Sequence, residues 1–170
     1  MIKGYLGVDV GSVSTNLVVI DDQDQLLVEQ YLRTNGKPIQ TVQEGLHAIG
    51  QELPADVEIA GAATTGSARY LTSLIVGADI VKNEITAHAI ASSALAEDVK
   101  TIIEIGGQDS KIIILREGVV TDFAMNTVCA AGTGSFLDQQ ASRLLISIEE
   151  FGNYALKAKN PVRIAGRCAV

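Results

Sequence analysis

Two stretches of the sequence, 95 residues apart, repeat one pattern of strand, acid, glycine turn and returning strand. They cover residues 5–20 and 101–115. At this offset three pairs of residues correspond: Asp9 and Glu104, Gly11 and Gly106, Ser14 and Asp109. Apolar runs on both sides of a glycine turn are typical of β-hairpins. The sequence therefore predicts two matched hairpins.

The polar residues in both turns indicate the kind of ligand that the turns bind. Glycine lets backbone N–H groups close on an anion, and a neighbouring carboxylate suits a hydrated Mg²⁺. A single such hairpin favours the interpretation of an ordinary polar turn. Two in register predict paired clamps on one polyphosphate.

Composition limits the alternatives. The 170-residue chain is 47% hydrophobic with 4% aromatic residues, which fits small-residue helices on a buried sheet. Its formal net charge of −7 disfavours nucleic acid or an acidic membrane as a partner. A bound anion must therefore be held by backbone N–H groups and a metal.

The two ends of the chain and its two cysteines indicate the cellular compartment of the protein. No run is apolar for long enough to span a bilayer, and the N-terminus lacks the plan of a signal peptide. We therefore expect a cytoplasmic protein whose two cysteines are thiols or ligands. The apolar run at 163–170 predicts that the chain is a piece of a longer one.

The pattern along the chain predicts an α/β protein. Strands are expected at 5–10, 15–20, 26–34, 57–63, 79–82, 102–105, 111–115 and 119–125. Helices are expected at 38–51, 68–76, 84–96, from 134 onward, and in a shorter segment that ends near 158. This order implies a mixed sheet with flanking helices. Residues 96–100 form the boundary between one full domain, 1–98, and the truncated start of a second, 99–170.

For several candidate functional residues, a purely structural role is the alternative. The hydroxyls at 64–67 favour an ordinary helix cap over a phosphate contact. Glu84 and His88 lie one helical turn apart, and a solvent-side or interface pair is favoured over a shared metal. By count alone, Cys129 and Cys168 favour inert core thiols. Two thiolates from each of two chains also complete a four-thiolate iron–sulfur site.

Five motifs appear in order: 8–12 (VDVGS), 82–89 (KNEITAHA), 105–111 (IGGQDSK), 126–137 (NTVCAAGTGSFL) and 166–170 (GRCAV). Together they resemble the ATP-dependent activators of 2-hydroxyacyl-CoA dehydratases and the related ATP-binding subunits of benzoyl-CoA reductases. These belong to the actin/Hsp70/sugar-kinase superfamily, which has a ribonuclease-H-like fold. The resemblance covers essentially the whole chain.

The resemblance implies a nucleotide site for ATP or ADP with Mg²⁺. Asp9, Glu104 and Asp109 are the implied catalytic acids, and Asp9 and Asp109 hold the metal through water. The implied nucleotide-binding residues are Gly11, Ser12, Val13, Ser14, Thr15, Gly106, Gly107, Gln108, Lys111, Gly132, Thr133 and Gly134. By the same resemblance, Cys129 and Cys168 bind one 4Fe–4S cluster shared by a homodimer.

The implied activity is ATP hydrolysis that drives a low-potential electron into a partner dehydratase or reductase. The resemblance also implies a reduced donor such as ferredoxin or flavodoxin. Two features depart from the family pattern: Glu104 stands where many superfamily members carry Asp, and residues 1–170 lack the adenosine-binding glycine motif. We therefore expect weak ATP binding by this piece alone. The rival hypotheses are a sugar or acid kinase of the same fold and an ATP-dependent switch without redox chemistry.

Overall fold

The first half of the chain forms a five-stranded mixed sheet in a computed structural model that describes residues 1–126 and 133–162. The strands are β1 (Ile2–Val10), β2 (Ser14–Ile20), β3 (Leu26–Arg33), β4 (Val57–Thr65) and β5 (Ile80–Val81). Their order is β3-β2-β1-β4-β5, with β1 antiparallel to β2 and parallel to β4. This arrangement places the polar end of β1 at the centre of one sheet edge.

One face of this sheet forms the main core. Leu6, Val8 and Val10 alternate along β1 and are buried, as the period of two predicts. Two helices cover this face: α1 (Pro38–Glu52) and α2 (Arg69–Val76). Pro38 opens α1, where a missing N–H costs nothing.

The second sheet is a three-stranded antiparallel meander. Its strands are β6 (Thr101–Ile105), β7 (Ser110–Arg116) and β8 (Val119–Met125), in the order β6-β7-β8. Helix α3 (Glu84–Leu95) packs Ala89 against the buried Ile113 and Leu115 of β7. The helix thus belongs to the core of the second sheet.

Two further helices follow the second sheet: α4 (Gly134–Arg143) and α5 (Ile148–Lys157). Ser147 caps α5, since its side chain accepts a hydrogen bond from the amide of Glu150 at 3.3 Å. A serine with a glutamate three residues later is a sequence pattern typical of a helix start. The predicted strand-like run at 163–170 lies outside the described residues.

The predicted elements are confirmed to within a few residues at their ends, and the α/β class is correct. The predicted mixed sheet with flanking helices is confirmed, and among the described residues the second meander forms a separate three-stranded sheet. The division at 98 and 99 stays a prediction, and α3, assigned there to the first domain, contacts the second sheet. In the described part of the chain, no helix is long and apolar enough to cross a membrane.

Candidate functional site

The two glycine turns have the same backbone geometry. The amide of Gly11 donates to the carbonyl of Ser14 at 2.9 Å, and the amide of Gly106 donates to the carbonyl of Asp109, also at 2.9 Å. The sequence repeat of 95 residues is therefore also a structural repeat. In each turn the bond uses the first glycine amide, which leaves the following amides as candidate donors to an anion.

The two turns also meet each other. A Cβ added to Gly107 would lie 2.5 Å from Cγ2 of Val13 in the first turn. Only a residue without a side chain allows this approach. The predicted facing of the two turns is thus present.

A cleft of about 270 Å³ lies between the turns. Its lining is Asp9, Gly11, Ser12, Val13, Ser14, Gly66, Ser67, Glu84, His88, Glu104, Gly106, Gly107, Gln108, Asp109 and Lys111. A neighbouring cavity of about 380 Å³ shares Asp9, Val13 and Glu104 and extends to Gly134 at the start of α4. Most of the predicted nucleotide-site residues are therefore brought together.

Asp9 occupies the end of β1 at the floor of the cleft. Burial raises the pKa of its carboxyl above the ordinary value of 3.8, partly offset by a hydrogen bond from Asn16. The backbone of Gly66 packs directly on this carboxylate. Gly66 has a φ of +85°, and an added Cβ would contact Oδ1 of Asp9 and lie 2.5 Å from the Val10 carbonyl oxygen. The site therefore holds a desolvated carboxylate that a cation can stabilise.

The second turn holds its carboxylates differently. The ammonium of Lys111 lies 2.9 Å from Oε2 of Glu104 and 2.9 Å from Oδ1 of Asp109. Lys111 is only 5% exposed. Burial alone lowers the pKa of Lys111, but the two carboxylates outweigh it and the pKa is raised above 10.5. Lys111 is therefore charged at neutral pH, and both acids are paired with it.

Helix α3 brings two side chains to the cleft. Asn83 caps it by accepting a hydrogen bond from the amide of Thr86 at 2.9 Å, which places Glu84 in the first turn. Glu84 and His88 both line the cleft, so they do not form the simple solvent-side pair that the sequence favours, and an interface role stays a prediction. The one-turn spacing is visible in the sequence, but the packing of α3 that turns this face toward Asp9 depends on distant strands.

Glu84 carries one incompletely satisfied oxygen. Among the described residues, its Oε2 is buried without a hydrogen-bond partner. The nearest cation is Arg69, whose Nη1 lies 3.6 Å away and also donates to the Gly66 carbonyl at 3.0 Å. Glu84 is thus an ionic partner of Arg69 that still faces the cleft.

The turn after β4 corrects a second expectation. Ala68 occupies the N-cap position of α2, and its side chain makes no cap. The Ser67 hydroxyl instead donates to the Val10 carbonyl at 3.4 Å, and Ser67 lines the cleft. The predicted hydroxyl cap is therefore wrong, because this turn is fixed by β1 rather than by its own helix.

The remaining predicted nucleotide-binding residues have different positions. Thr15 is fully buried and its hydroxyl lies 2.9 Å from that of Thr34, so it does not line the cleft. Thr133 is also buried, at the N-cap of α4. Gly132 and both predicted cluster ligands, Cys129 and Cys168, lie outside the described residues.

The segment that contains Cys129 is bounded by contacts to the second turn. Before it, the Asn126 amide donates to the Ser110 carbonyl at 2.9 Å. After it, the Gly134 amide donates to the Gly106 carbonyl at 2.8 Å. Asn126 and Gly134, which lie on either side of residues 127–132, are thus hydrogen-bonded to the hairpin that lines the cleft.

The donor set of the cleft suits a hydrated cation. Within residues 1–126 and 133–162, no three His, Cys, Asp or Glu side chains gather closely enough to hold a metal ion directly. Mg²⁺ usually keeps several waters and takes one or two carboxylates together with phosphate oxygens. Asp9 at the floor of the cleft fits such a metal.

Comparisons with known proteins agree with this geometry. The chain is 33% identical over 171 residues to the (R)-2-hydroxyglutaryl-CoA dehydratase activating ATPase of Acidaminococcus fermentans, covering 97% of this chain and 63% of that protein. It is 31% identical to the 2-hydroxyisocaproyl-CoA dehydratase activator of Clostridioides difficile, covering 97% and 61%.

A solved structure gives the same fold. The activator of the 2-hydroxyisocaproyl-CoA dehydratase from Clostridium difficile, with bound ADPNP, matches with a TM-score of 0.81 and 28% identity, covering 96% of this chain and 60% of that one. The chain thus spans less than two thirds of the length of these relatives. Residues 6–170 match the BadF/BadG/BcrA/BcrD ATPase family. Because the match extends over nearly the whole chain, the protein belongs to the BadF/BadG/BcrA/BcrD ATPase family.

Proposed function

We propose that the full-length protein binds and hydrolyses ATP in this cleft and uses hydrolysis to drive a low-potential electron into an acyl-CoA dehydratase or reductase. The observation that carries the proposal is the pair of facing glycine turns with Asp9 between them. Its support is the bound ADPNP of one similar structure and the activator function in the names of two relatives.

In this proposal the two turns hold the phosphates from opposite sides. The amides that follow Gly11 and Gly106 donate hydrogen bonds to phosphate oxygens, since overall charge opposes an anion. Asp9 orients the metal through water. When bound, Mg²⁺ neutralises phosphate charge and orients the γ-phosphate. Thr15 is left out of the proposed contacts because its side chain is buried elsewhere.

Glu84 is the proposed proton acceptor that activates the attacking water. Its carboxylate lines the cleft and lies 3.6 Å from Arg69, and among the described residues its Oε2 has no hydrogen-bond partner. A carboxylate that faces a phosphate site is otherwise repelled by the ligand. Orienting and deprotonating a water is a role in which its negative charge is useful.

The course of the chain couples the nucleotide site to the proposed iron–sulfur cluster. Loss of the γ-phosphate releases the Gly106–Gly107 turn, to whose hairpin Asn126 and Gly134, before and after Cys129 in the chain, are hydrogen-bonded. A shift of the turn therefore reaches Cys129 through two hydrogen-bonded anchors.

The cluster itself rests on the family resemblance. Cys129 and Cys168 of two subunits are the proposed ligands, in a homodimer of the full-length protein. A 4Fe–4S cluster supplies a one-electron centre whose potential responds to hydrogen bonding and burial. The electron donor is proposed to be a reduced ferredoxin or flavodoxin.

The test uses anaerobically reconstituted full-length protein. We expect about four irons per dimer, ATP-dependent electron delivery, and hydrolysis that falls at least about a hundredfold in Asp9→Asn. Asp22→Asn, in an exposed turn, is the matched control and keeps full activity. Cys129→Ser is expected to lose iron–sulfur absorbance while ATP binding persists.

The same preparation separates the rival functions. A colourless protein that phosphorylates a small molecule contradicts the redox proposal and supports a kinase. A colourless protein without phosphoryl transfer supports a nucleotide switch. Intact absorbance in Cys129→Ser removes that thiol from the ligand set.

A further inference from the structure

Lys111 occupies the position where the two hairpins differ most in charge. Asp9 and Asn16 are cross-strand partners in the first hairpin, and Glu104 and Lys111 are the corresponding partners in the second. Both pairs are related by the same 95-residue offset. A neutral amide in one hairpin thus stands where an ammonium stands in the other.

The ammonium compensates for one added acid. The second hairpin has a carboxylate, Asp109, where the first has the hydroxyl of Ser14. Two carboxylates and one ammonium leave a single negative formal charge, as does Asp9 with its neutral neighbours. The two hairpins therefore present the same net charge to a ligand despite their different residues.

The ammonium also lies where a cation bridging the two acids would lie. It is 2.9 Å from an oxygen of Glu104 and 2.9 Å from an oxygen of Asp109. It is nearly fully enclosed, whereas the Asp109 side chain is 35% exposed. Two of its three N–H donors are used by these carboxylates. The Lys111 ammonium therefore affects a bound ligand through the two acids.

We propose that Lys111 is a built-in counter-ion, which fills the place of a metal between Glu104 and Asp109 and confines the divalent cation to the Asp9 side of the cleft. The inference rests on the proposed function, and it assigns Lys111 a positioning role instead of the direct nucleotide contact implied by the family resemblance. It also makes Asp109 a partner of Lys111 rather than a ligand of the metal. The site then takes one Mg²⁺ with each ATP.

Titration of nucleotide-free, full-length protein with Mn²⁺ tests the inference without reference to hydrolysis. Lys111→Gln exposes two uncompensated carboxylates, so this variant is expected to gain one Mn²⁺ per subunit over the wild type, by electron paramagnetic resonance. Lys111→Arg keeps the charge and is expected to match the wild type. Lys100→Gln removes an exposed lysine just before β6 and serves as the control for a lost charge.

Affinity for ATP gives a second measurement. At low Mg²⁺, Lys111→Gln is expected to lose at least about tenfold in ATP affinity, and added Mn²⁺ is expected to restore most of it. If Lys111→Gln is unfolded without divalent ions, Mn²⁺ should restore a cooperative melting transition.

Three results overturn the inference: a Mn²⁺ bound between Glu104 and Asp109 in the wild type, no extra Mn²⁺ in folded Lys111→Gln, or an unfolded variant that Mn²⁺ does not rescue. Failure of the wild type to hydrolyse ATP bears on the proposed function alone, since the cation titration needs no nucleotide.

Discussion

The two hairpins share a turn and a register but bury opposite faces. Leu17 of the first is fully buried, whereas its counterpart Ile112 of the second is 40% exposed. Val8 is 1% exposed, and its counterpart Ile103 is 72% exposed. On the other face the order reverses, because Ile113 is fully buried under α3 while its counterpart Val18 is partly exposed.

This difference separates local from long-range control. The glycine turns close through a bond between residues three apart, so a repeated sequence gives a repeated turn. Burial depends on which helices pack against a sheet. Helices α1 and α2 cover one face of the first sheet, and α3 covers the other face of the second.

The largest expected effect tests whether the two hairpins bury opposite faces. Leu17→Ala is expected to cost about 2–5 kcal/mol of unfolding free energy, because it leaves a cavity in a packed core. Ile112→Ala, at the equivalent position, is expected to cost about 1 kcal/mol or less. Chemical denaturation of the two variants and the wild type measures both changes in unfolding free energy. Equal costs contradict the comparison and indicate that Ile112 is covered.

The second prediction concerns α3, the helix that packs on one hairpin and faces the other. Glu84→Gln is expected to slow ATP hydrolysis by the full-length protein about a hundredfold, because the amide cannot accept a proton from water. ATP affinity is expected to stay within about twofold. Steady-state kinetics and nucleotide binding separate the two effects, with the exposed Glu97→Gln as control. Unchanged kcat removes Glu84 from the mechanism.

The smallest expected effect is on stability and distinguishes Asp9 from the paired acids of the second hairpin. Burial raises the pKa of Asp9, so the folded state keeps this proton to higher pH than the unfolded state. The associated stability is present below pH 3.8 and is lost as the pH rises through the raised pKa.

Without nucleotide or metal, Asp9→Asn is therefore expected to melt at a higher temperature than the wild type at neutral pH. The gain should shrink as the pH falls toward 3.8. Thermal melting across this range measures it, with Asp22→Asn as the control. A lower melting temperature for Asp9→Asn at neutral pH contradicts the assignment of a costly buried charge.

Much of the candidate site could be predicted because it lies on short, local motifs. Asp9 and the two glycine turns follow directly from strand ends and turn residues, and Gln108 follows from the family resemblance of the second turn. The sequence predicts a cap for Ser67 and a solvent-side or interface position for Glu84, because it does not show their neighbours across the cleft, which belong to distant strands. Thr15 was expected to contact nucleotide, but the alternation along β2 directs its side chain into the core.

The amino-acid sequence by itself determined the strands, the turns and their repeat at 95 residues, since these depend on alternation, glycine and contacts between near neighbours. Tertiary structure alone decided which face of each hairpin is buried, that Gly107 touches Val13, and that Lys111 is enclosed between two acids. The physical reason is that packing and desolvation depend on groups far apart in the chain, and their approach leaves no periodic signal in the sequence.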